Sequence, residues 1–286
     1  MRAALVPTCL DAGEHDGNAF LLLLENVGDD DGGGSDDGLD LGRAEAAVDW
    51  LAAFHSAFWS GGAAGGALDG LWEHGGYYSL DKRRADVVKV EGNWRRLHAS
   101  VDDLGADAAF GGRLAAHAER ISMHASARSR DDDPRATVVH GDFKAANLRF
   151  TRTGPSSFGV RAIDMQWAGR GLGASDLAYL LGTSLSLPLL NAESVRRLAE
   201  RYHRGLAYRD GYELESFLAD LDWCILDYVR FTAGSMWGAI TPESIAENAR
   251  GSNRRNIGLH KRSLPHLRFV VSLAERAARR RLPPAD

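Results

Sequence analysis

The sequence predicts an α+β fold: a small β part, then a large, mostly helical part interrupted once by a strand and a hairpin. Three observations carry this. Two short apolar runs near the start, "ALVPTCLDAG" and "AFLLLLENV", have strand length. From residue 40 onward, apolar side chains recur every three or four positions in several separate segments. Between those segments, "TVVHGD" and "NLRFTRTGPSSFGVRAIDM" switch to β-branched and alternating patterns.

At 286 residues the chain is long enough for one large domain or two small ones, and 44% apolar content fills a sizeable core. "AFLLLLENV" is a continuous apolar run of the kind buried in a sheet. After it, residues 28–40, "GDDDGGGSDDGLD", are Gly/Asp low complexity with no apolar surface to bury, so a disordered, mobile loop is expected. The stretch lacks the ordered alternation and closing Glu of a calcium loop. The expected organisation is residues 1–27 as a small β part, 28–40 as the loop, and 41–286 as the helical part.

Asp40 is placed to cap a helix carrying Val48, Leu51, His55, Phe58 and Trp59. Leu114, His117, Ile121 and His124 mark another helix, and Val195, Leu198, Tyr202 and Leu206 a third. His55, His117 and His124 lie on apolar faces and read as packed core residues. "LESFLADLDWCILDYVRFTAG" is apolar on more than one face, which predicts a central helix. "TPESIAENAR" opens with an N-cap Thr241 and Pro242 at the first helical position.

Charge and cysteines exclude several classes. Thirty-four basic against 39 acidic residues give a net charge of −5, unlike the concentrated positive face of a nucleic-acid binder. The densest basic cluster, the C-terminal "ERAARRR", reads as a solvated helix end. Cys9 and Cys224 are too few for a disulfide framework and have no zinc spacing. "AALV" before Pro7 is too short for the apolar part of a signal peptide, and no run approaches the roughly 18 apolar residues of a membrane span. No membrane partner and a cytoplasmic location are expected.

The chemistry concentrates where the helical pattern breaks. "TVVHGD" reads as a strand ending at Asp142, and the alternating residues around Gly154-Pro155-Ser156-Ser157 read as a hairpin running into Asp164. Asn147 leads into its first arm. Two carboxylates and an amide oxygen are the hard ligands Mg²⁺ prefers alongside phosphate and water. Phosphoryl transfer also needs a carboxylate near the attacking hydroxyl and positive charge near the moving phosphate. "HGDFKAAN" has the spacing of the kinase catalytic loop H-R-D-x-x-x-x-N, with Lys144 two residues after the Asp, and Asp164 stands where the metal-binding Asp of D-F-G would stand. A lone strand-end Asp is usually a turn former or cap. Here the combination, in order and followed by "SDLAYLL", carries the signal.

These residues resemble the aminoglycoside phosphotransferase and choline kinase-like phosphotransferases, and within them the ecdysteroid-kinase-like branch. The likeness rests on "VVHGDFKAANLRF", "AIDMQWAGRGLGASDLAYLL", and upstream "FLLLLENV" followed by "WLAAFHSAFW". It implies a protein-kinase-like fold with a truncated small β lobe, reduced to hinge strands, and a large helical lobe bearing the catalytic hairpin, with ATP and Mg²⁺ between the lobes. By this resemblance Asp142 matches the base that orients the acceptor hydroxyl, and Asn147 and Asp164 match the metal ligands. His140 matches a loop organiser, Lys144 would face the transferred phosphate, and Asp176 would brace the catalytic loop from a helix start. Glu25, Asn26 and Val27 match the hinge whose backbone meets adenine. Gln166 and Trp167 follow the metal Asp as in that branch.

The sequence also departs from the family. The Gly-rich phosphate loop, the strand Lys and its partner Glu have no counterpart, and the first lysine is Lys82. This points to a truncated or mis-started chain or a degenerate kinase, poor in ATP turnover as it stands. Two functions follow: a kinase acting on an alcohol group of a small molecule, or a non-catalytic kinase-like binding module. A hydrolase is disfavoured, because no G-x-S-x-G elbow or G-K-[ST] loop occurs and "GRGLGASD" has no preceding strand to make a dinucleotide fingerprint. Trp223, Tyr228, Phe231 and Trp237 either line an apolar acceptor cavity or pack as core, and their helical spacing favours core.

Overall fold

The computed structural model describes residues 6–15, 19–27, 37–59, 70–126, 133–207, 211–251 and 258–283. The opening apolar runs form an antiparallel ribbon of β1 (Cys9–His15) and β2 (Ala19–Leu24), with Ala12 opposite Leu22. Residues 28–36 of the expected loop lie outside the described residues. Its end, however, belongs to the fold. Leu39 is fully buried, its N–H donating to the Ser184 carbonyl (2.7 Å) and its carbonyl accepting from Ser186 N–H (3.0 Å). The reading that residues 28–40 have nothing to bury is therefore wrong at Leu39, because one apolar residue in a polar run has no periodicity to reveal it.

Asp40 then caps α1 (Leu41–Ala57), its carboxylate accepting the Arg43 backbone N–H at 2.9 Å. The helix ends before Phe58 and Trp59, although both continue the apolar spacing and Trp59 is buried beyond the last turn. The segment after it holds the single turn α2 (Leu80–Arg83) and α3 (Val87–Ser100). The helix expected across Leu114 to His124 is two helices, α4 (Phe110–Ala116) and α5 (Ala118–Ala125), broken at His117. That break corrects the reading of the histidines. His55 is fully buried, but His117 is half-buried and His124 is exposed, stacked on Trp223 with ring centroids 4.4 Å apart.

The helical part is organised around α8 (Leu214–Ser235), against which α3, α4, α5, α6 (Gly173–Thr183), α7 (Ala192–Gly205) and α10 (Leu264–Arg281) pack. Every residue of α8 from Asp220 to Gly234 is buried, as expected of a helix apolar on more than one face. Its charged residues are paired. Arg230 donates to Asp227 (2.8 Å) and to the Tyr78 carbonyl (2.9 Å). Asp222 is clamped by Arg280 and Arg281 of α10 at 2.6 and 3.0 Å, so the C-terminal basic cluster is not simply solvated: two of its arginines neutralise a buried carboxylate. Trp223, Tyr228, Phe231 and Trp237 are all buried among other rings and belong to the core. Further along, α9 (Pro242–Arg250) begins with a capping box between Thr241 and Ser244. Among the described residues no helix is long and apolar enough to cross a membrane.

Leu39 is the cheapest check on this architecture. Truncating a fully buried leucine costs about 2–5 kcal/mol, so Leu39→Ala should lower the urea midpoint clearly at unchanged m-value. A loss below about 0.5 kcal/mol, the size of an ordinary surface substitution, would mean Leu39 is not part of the core.

Candidate active site

The site begins at β3 (Ala136–Val139), which pairs antiparallel with β6 (Gly169–Leu172), Thr137 facing Gly171. β6 is the "GRGL" segment, whose two glycines hide it from strand propensity. It leads directly into α6, placing Asp176 in that helix's first turn beneath the loop that follows β3. The Asp176 carboxylate accepts from His140 N–H (2.6 Å), Gly141 N–H (2.9 Å) and His55 Nε2 (3.2 Å). Burial alone would raise its pKa. The bonds and charges contributed by His55, His140 and the Gly141 amide outweigh that and hold it below the ordinary carboxylate value. His55 is fixed in turn, since its Nδ1 meets the Tyr202 hydroxyl at 2.7 Å.

Gly141 is the one residue type that fits its place. Its φ is +82°, and an added Cβ would stand 2.4 Å from the Trp167 carbonyl oxygen and 2.6 Å from Gly76 N. His140 spends both ring nitrogens on backbone: Nε2 meets the Ile163 carbonyl (2.9 Å) and Nδ1 accepts from Asp142 N–H (3.3 Å). Nε2 is therefore the donor and Nδ1 the acceptor.

The loop aims Asp142 unevenly. Its Oδ2 accepts from Lys144 Nζ (2.7 Å) and Asn147 Nδ2 (3.1 Å), whereas Oδ1 is buried and has no hydrogen-bond partner. Asn147 Nδ2 also donates to the Asp142 carbonyl (2.9 Å), so its side-chain oxygen is the end left to face another group. Ser184 Oγ, at the end of α6, takes the Ala145 N–H (2.9 Å) and pins the loop from below. Asn147 opens β4 (Leu148–Arg152), which pairs with β5 (Phe158–Ala162) in the expected hairpin. The hairpin returns beside its origin: Ile163 N–H donates to the Asn147 carbonyl (2.9 Å), so Asp164 follows one residue later. Asp164 is exposed, with φ +65°, a left-handed conformation uncommon outside glycine but tolerated by Asp. Asp142, Lys144, Asn147 and Asp164 are thus brought to one place, with His140 and Asp176 behind them.

The three residues expected at the hinge, Glu25, Asn26 and Val27, sit farther out, just after β2. Glu25 is tied on three sides: its N–H donates to the Thr8 carbonyl, while its carboxylate accepts from Thr8 and from Arg161 of β5 (2.7 Å). Arg161 first, then Thr8, lowers the Glu25 pKa. Glu25 therefore fastens the β1–β2 ribbon to the hairpin. Asn26 is exposed and Val27 half-buried beyond it.

The sequence reading missed the aromatic wall. Tyr77 and Tyr179 share a hydrogen bond between hydroxyls (2.7 Å), and Tyr77 packs near Trp167, which stacks on Trp72. Burial, with a further push from Asp142, raises Tyr77 to about 12 and Tyr179 well above its ordinary value, so both hydroxyls keep their protons. The only local signal is "GGYY" at residues 75–78, whose backbone pairs Gly75 and Gly76 with Arg170 and Trp167.

Residues 2–209 match the model of the ecdysteroid kinase-like family, and the chain belongs to that family. No curated protein matches it. Among solved structures it is similar to a microcompartment-associated aminopropanol kinase, at 17% identity, covering 96% of this chain and 76% of that one, with a TM-score of 0.47. It is also similar to an aminoglycoside-3'-phosphotransferase of type VIII (23% identity, 79% and 73% covered, TM-score 0.40). A choline/ethanolamine kinase family protein from Mesorhizobium loti is a third (12% identity, 95% and 80%, TM-score 0.41).

The Asp176 brace has a signature in pH. Its folded pKa lies below the unfolded one, so it adds stability that is full above about pH 4 and lost as pH falls through the folded value. Asp176→Asn should therefore cost about 3 kcal/mol or more at pH 7, with the gap to the parent closing below pH 4. A pH-independent gap in denaturant melts would show that Asp176 acts through shape and not through charge.

Proposed function

We propose that the chain is a small-molecule phosphotransferase that moves the γ-phosphoryl group of ATP to an alcohol, working in the cytoplasm, where ATP is available. The observation that supports this most is the split in Asp142. One carboxylate oxygen is held by Lys144 and Asn147, and the other is buried without a donor. An unsatisfied buried carboxylate oxygen is costly, and a substrate hydroxyl is the donor that relieves it while presenting its proton. Asp142 Oδ1 then accepts the hydroxyl proton as the oxygen attacks the γ-phosphorus and the bond from that phosphorus to the β-phosphate oxygen breaks, releasing ADP. Lys144, beside Oδ2, lends positive charge to the incoming phosphate.

Mg²⁺ fits the donor set. Asn147 has its amide nitrogen committed and its oxygen spare, and Asp164 is exposed one residue beyond the backbone bond to Asn147. Such hard oxygens on separate elements are what the ion takes, so Asn147 and Asp164 would hold it. When bound, the cation neutralises phosphate charge. His140 and Asp176 position the loop and move no proton. The backbone of Glu25, Asn26 and Val27 is the adenine hinge in this reading, with Asn26 and Val27 supplying the contacts because the Glu25 N–H is already taken by Thr8.

A second reading, a kinase-like module that binds without turning over, is favoured by the lysines. The first of them, Lys82, lies on α2 and not on a strand, its ammonium held by the His74 carbonyl and lying over the Trp72 ring. ADP release across a panel of small alcohols separates the two. The kinase reading expects turnover that falls about 10²–10⁴-fold in Asp142→Asn. Turnover unaffected by that change removes Asp142 from the chemistry, and no turnover with any alcohol favours the module.

The cation assignment has its own check. Mn²⁺ titrated into the chain with ATP should bind about tenfold or more weakly in Asp164→Ala. Equal affinity in parent and variant removes Asp164 from the set.

A further inference from the structure

Away from Asp142, one face from each of three helices meets in a cavity of about 320 Å³. α7 contributes Val195 and Ala199, α8 contributes Leu218, Leu221 and Ile225, and α10 contributes Leu273. On α8 the spacing of three and four residues keeps these side chains on a single stripe. Ala199, Leu221, Ile225 and Leu273 are buried, and Val195 and Leu218 half-buried, so the cavity has an apolar floor that reaches into the core. Its volume lies in the range that takes a small ligand. None of the residues placed at the candidate active site lines it.

The rim is unlike the floor. Four arginines, Arg196, Arg276, Arg280 and Arg281, stand against two carboxylates, Glu215 and Asp222. Asp222 is already shared: Arg280 takes both of its oxygens at 2.6 and 2.9 Å, and Arg281 takes Oδ2 at 3.0 Å. Arg196 is bonded to Glu200 at 2.6 Å and stands 4.0 Å from Glu215. Arg276 lies one turn before Arg280 on the same side of α10 and has no hydrogen-bond or ion-pair partner among the described residues. Two guanidiniums of α10 thus hold one carboxylate at the mouth of an apolar cavity, and a third lines the same mouth without a carboxylate of its own. Partial desolvation, and then the charge of Arg280, lower the pKa of Arg276.

We propose that this cavity binds an amphipathic monoanion: a carboxylate whose head pairs with Arg276, with Arg280 beside it, and whose apolar body lies along Val195, Leu218, Ile225 and Leu273. The charge pattern selects the class. A cation is repelled by the excess guanidinium, and a neutral chain leaves Arg276 unpaired. A guanidinium matches a carboxylate with two parallel hydrogen bonds, which fixes the orientation of the head. The site does not rest on the phosphotransfer reading, since it uses none of those residues.

Sodium octanoate, 1-octanol and octylammonium chloride are the probes, titrated separately into the full chain by isothermal calorimetry. We expect octanoate to bind saturably with one site, octanol about tenfold or more weakly, and octylammonium not at all. Arg276→Gln should weaken octanoate about tenfold or more while leaving octanol unchanged, the size expected for a hydrogen bond to a charged group. Arg276→Lys should restore part of the loss. Arg276 is exposed and unpaired, so both variants should melt as the parent does. Leu218→Gln, in the floor, should weaken octanoate and octanol alike. Non-saturable octanoate binding, octanol binding as tightly as octanoate, or octanoate binding unchanged by Arg276→Gln would each overturn the proposal.

Discussion

A carboxylate buried to 1% exposure stays charged only if donors surround it, and Asp176 has three: two consecutive backbone N–H groups of the loop after β3 and one histidine nitrogen. The donors come from two places. The loop follows β3, His55 lies on α1, and Asp176 itself is in the first turn of α6, so a single charge joins three elements that are distant in sequence. Tyr202 on α7 extends the chain of bonds through His55. With the His140 and Gly141 amides held by Asp176, Asp142 follows directly, its Oδ2 bonded to Lys144 and Asn147 and its Oδ1 left buried without a partner among the described residues.

The rest of the site is a sequence of consequences. With His140 N–H given to Asp176, its ring is free to reach the Ile163 carbonyl, which fixes the strand end ahead of Asp164. Asn147 is tied twice to Asp142 and once, through its carbonyl, to Ile163. The loop after β3 and the hairpin end are therefore one hydrogen-bonded unit, to which the Glu25–Arg161 pair attaches the small ribbon. Such a unit suits phosphoryl transfer, where positioning and charge placement supply most of the rate.

How much of this was legible depended on sequence distance. The caps at Asp40 and Thr241, the hairpin, and the strand before His140 are set by neighbours a few residues away, and their patterns were readable. The gathering of Asp142, Asn147 and Asp164 was readable because a short loop and a hairpin join them. What failed was tertiary. Leu39 is buried by a partner near residue 185, Asp222 draws Arg280 and Arg281 out of an otherwise solvated helix end, and the glycines of "GRGL" conceal β6, whose register comes from β3. The break at His117 and the exposure of His124 likewise follow from how α4 and α5 pack, which periodicity alone does not encode. The aromatic wall was invisible for the same reason: Tyr77 and Tyr179 are 102 positions apart and meet only in the fold.

If the Asp176 carboxylate is what holds the loop after β3, the loop's amides should report it directly. Amide hydrogen exchange of His140 and Gly141, followed by NMR under native conditions, is the decisive measurement, with amides in the middle of α8 as the internal reference. In the parent, both loop amides should exchange slowly; in Asp176→Asn they should exchange at least about 100-fold faster, the scale of an opening made roughly 3 kcal/mol easier, while the α8 amides lose only what the global stability loses. Loop amides that stay as protected as before, or that change only in step with α8, would contradict the account.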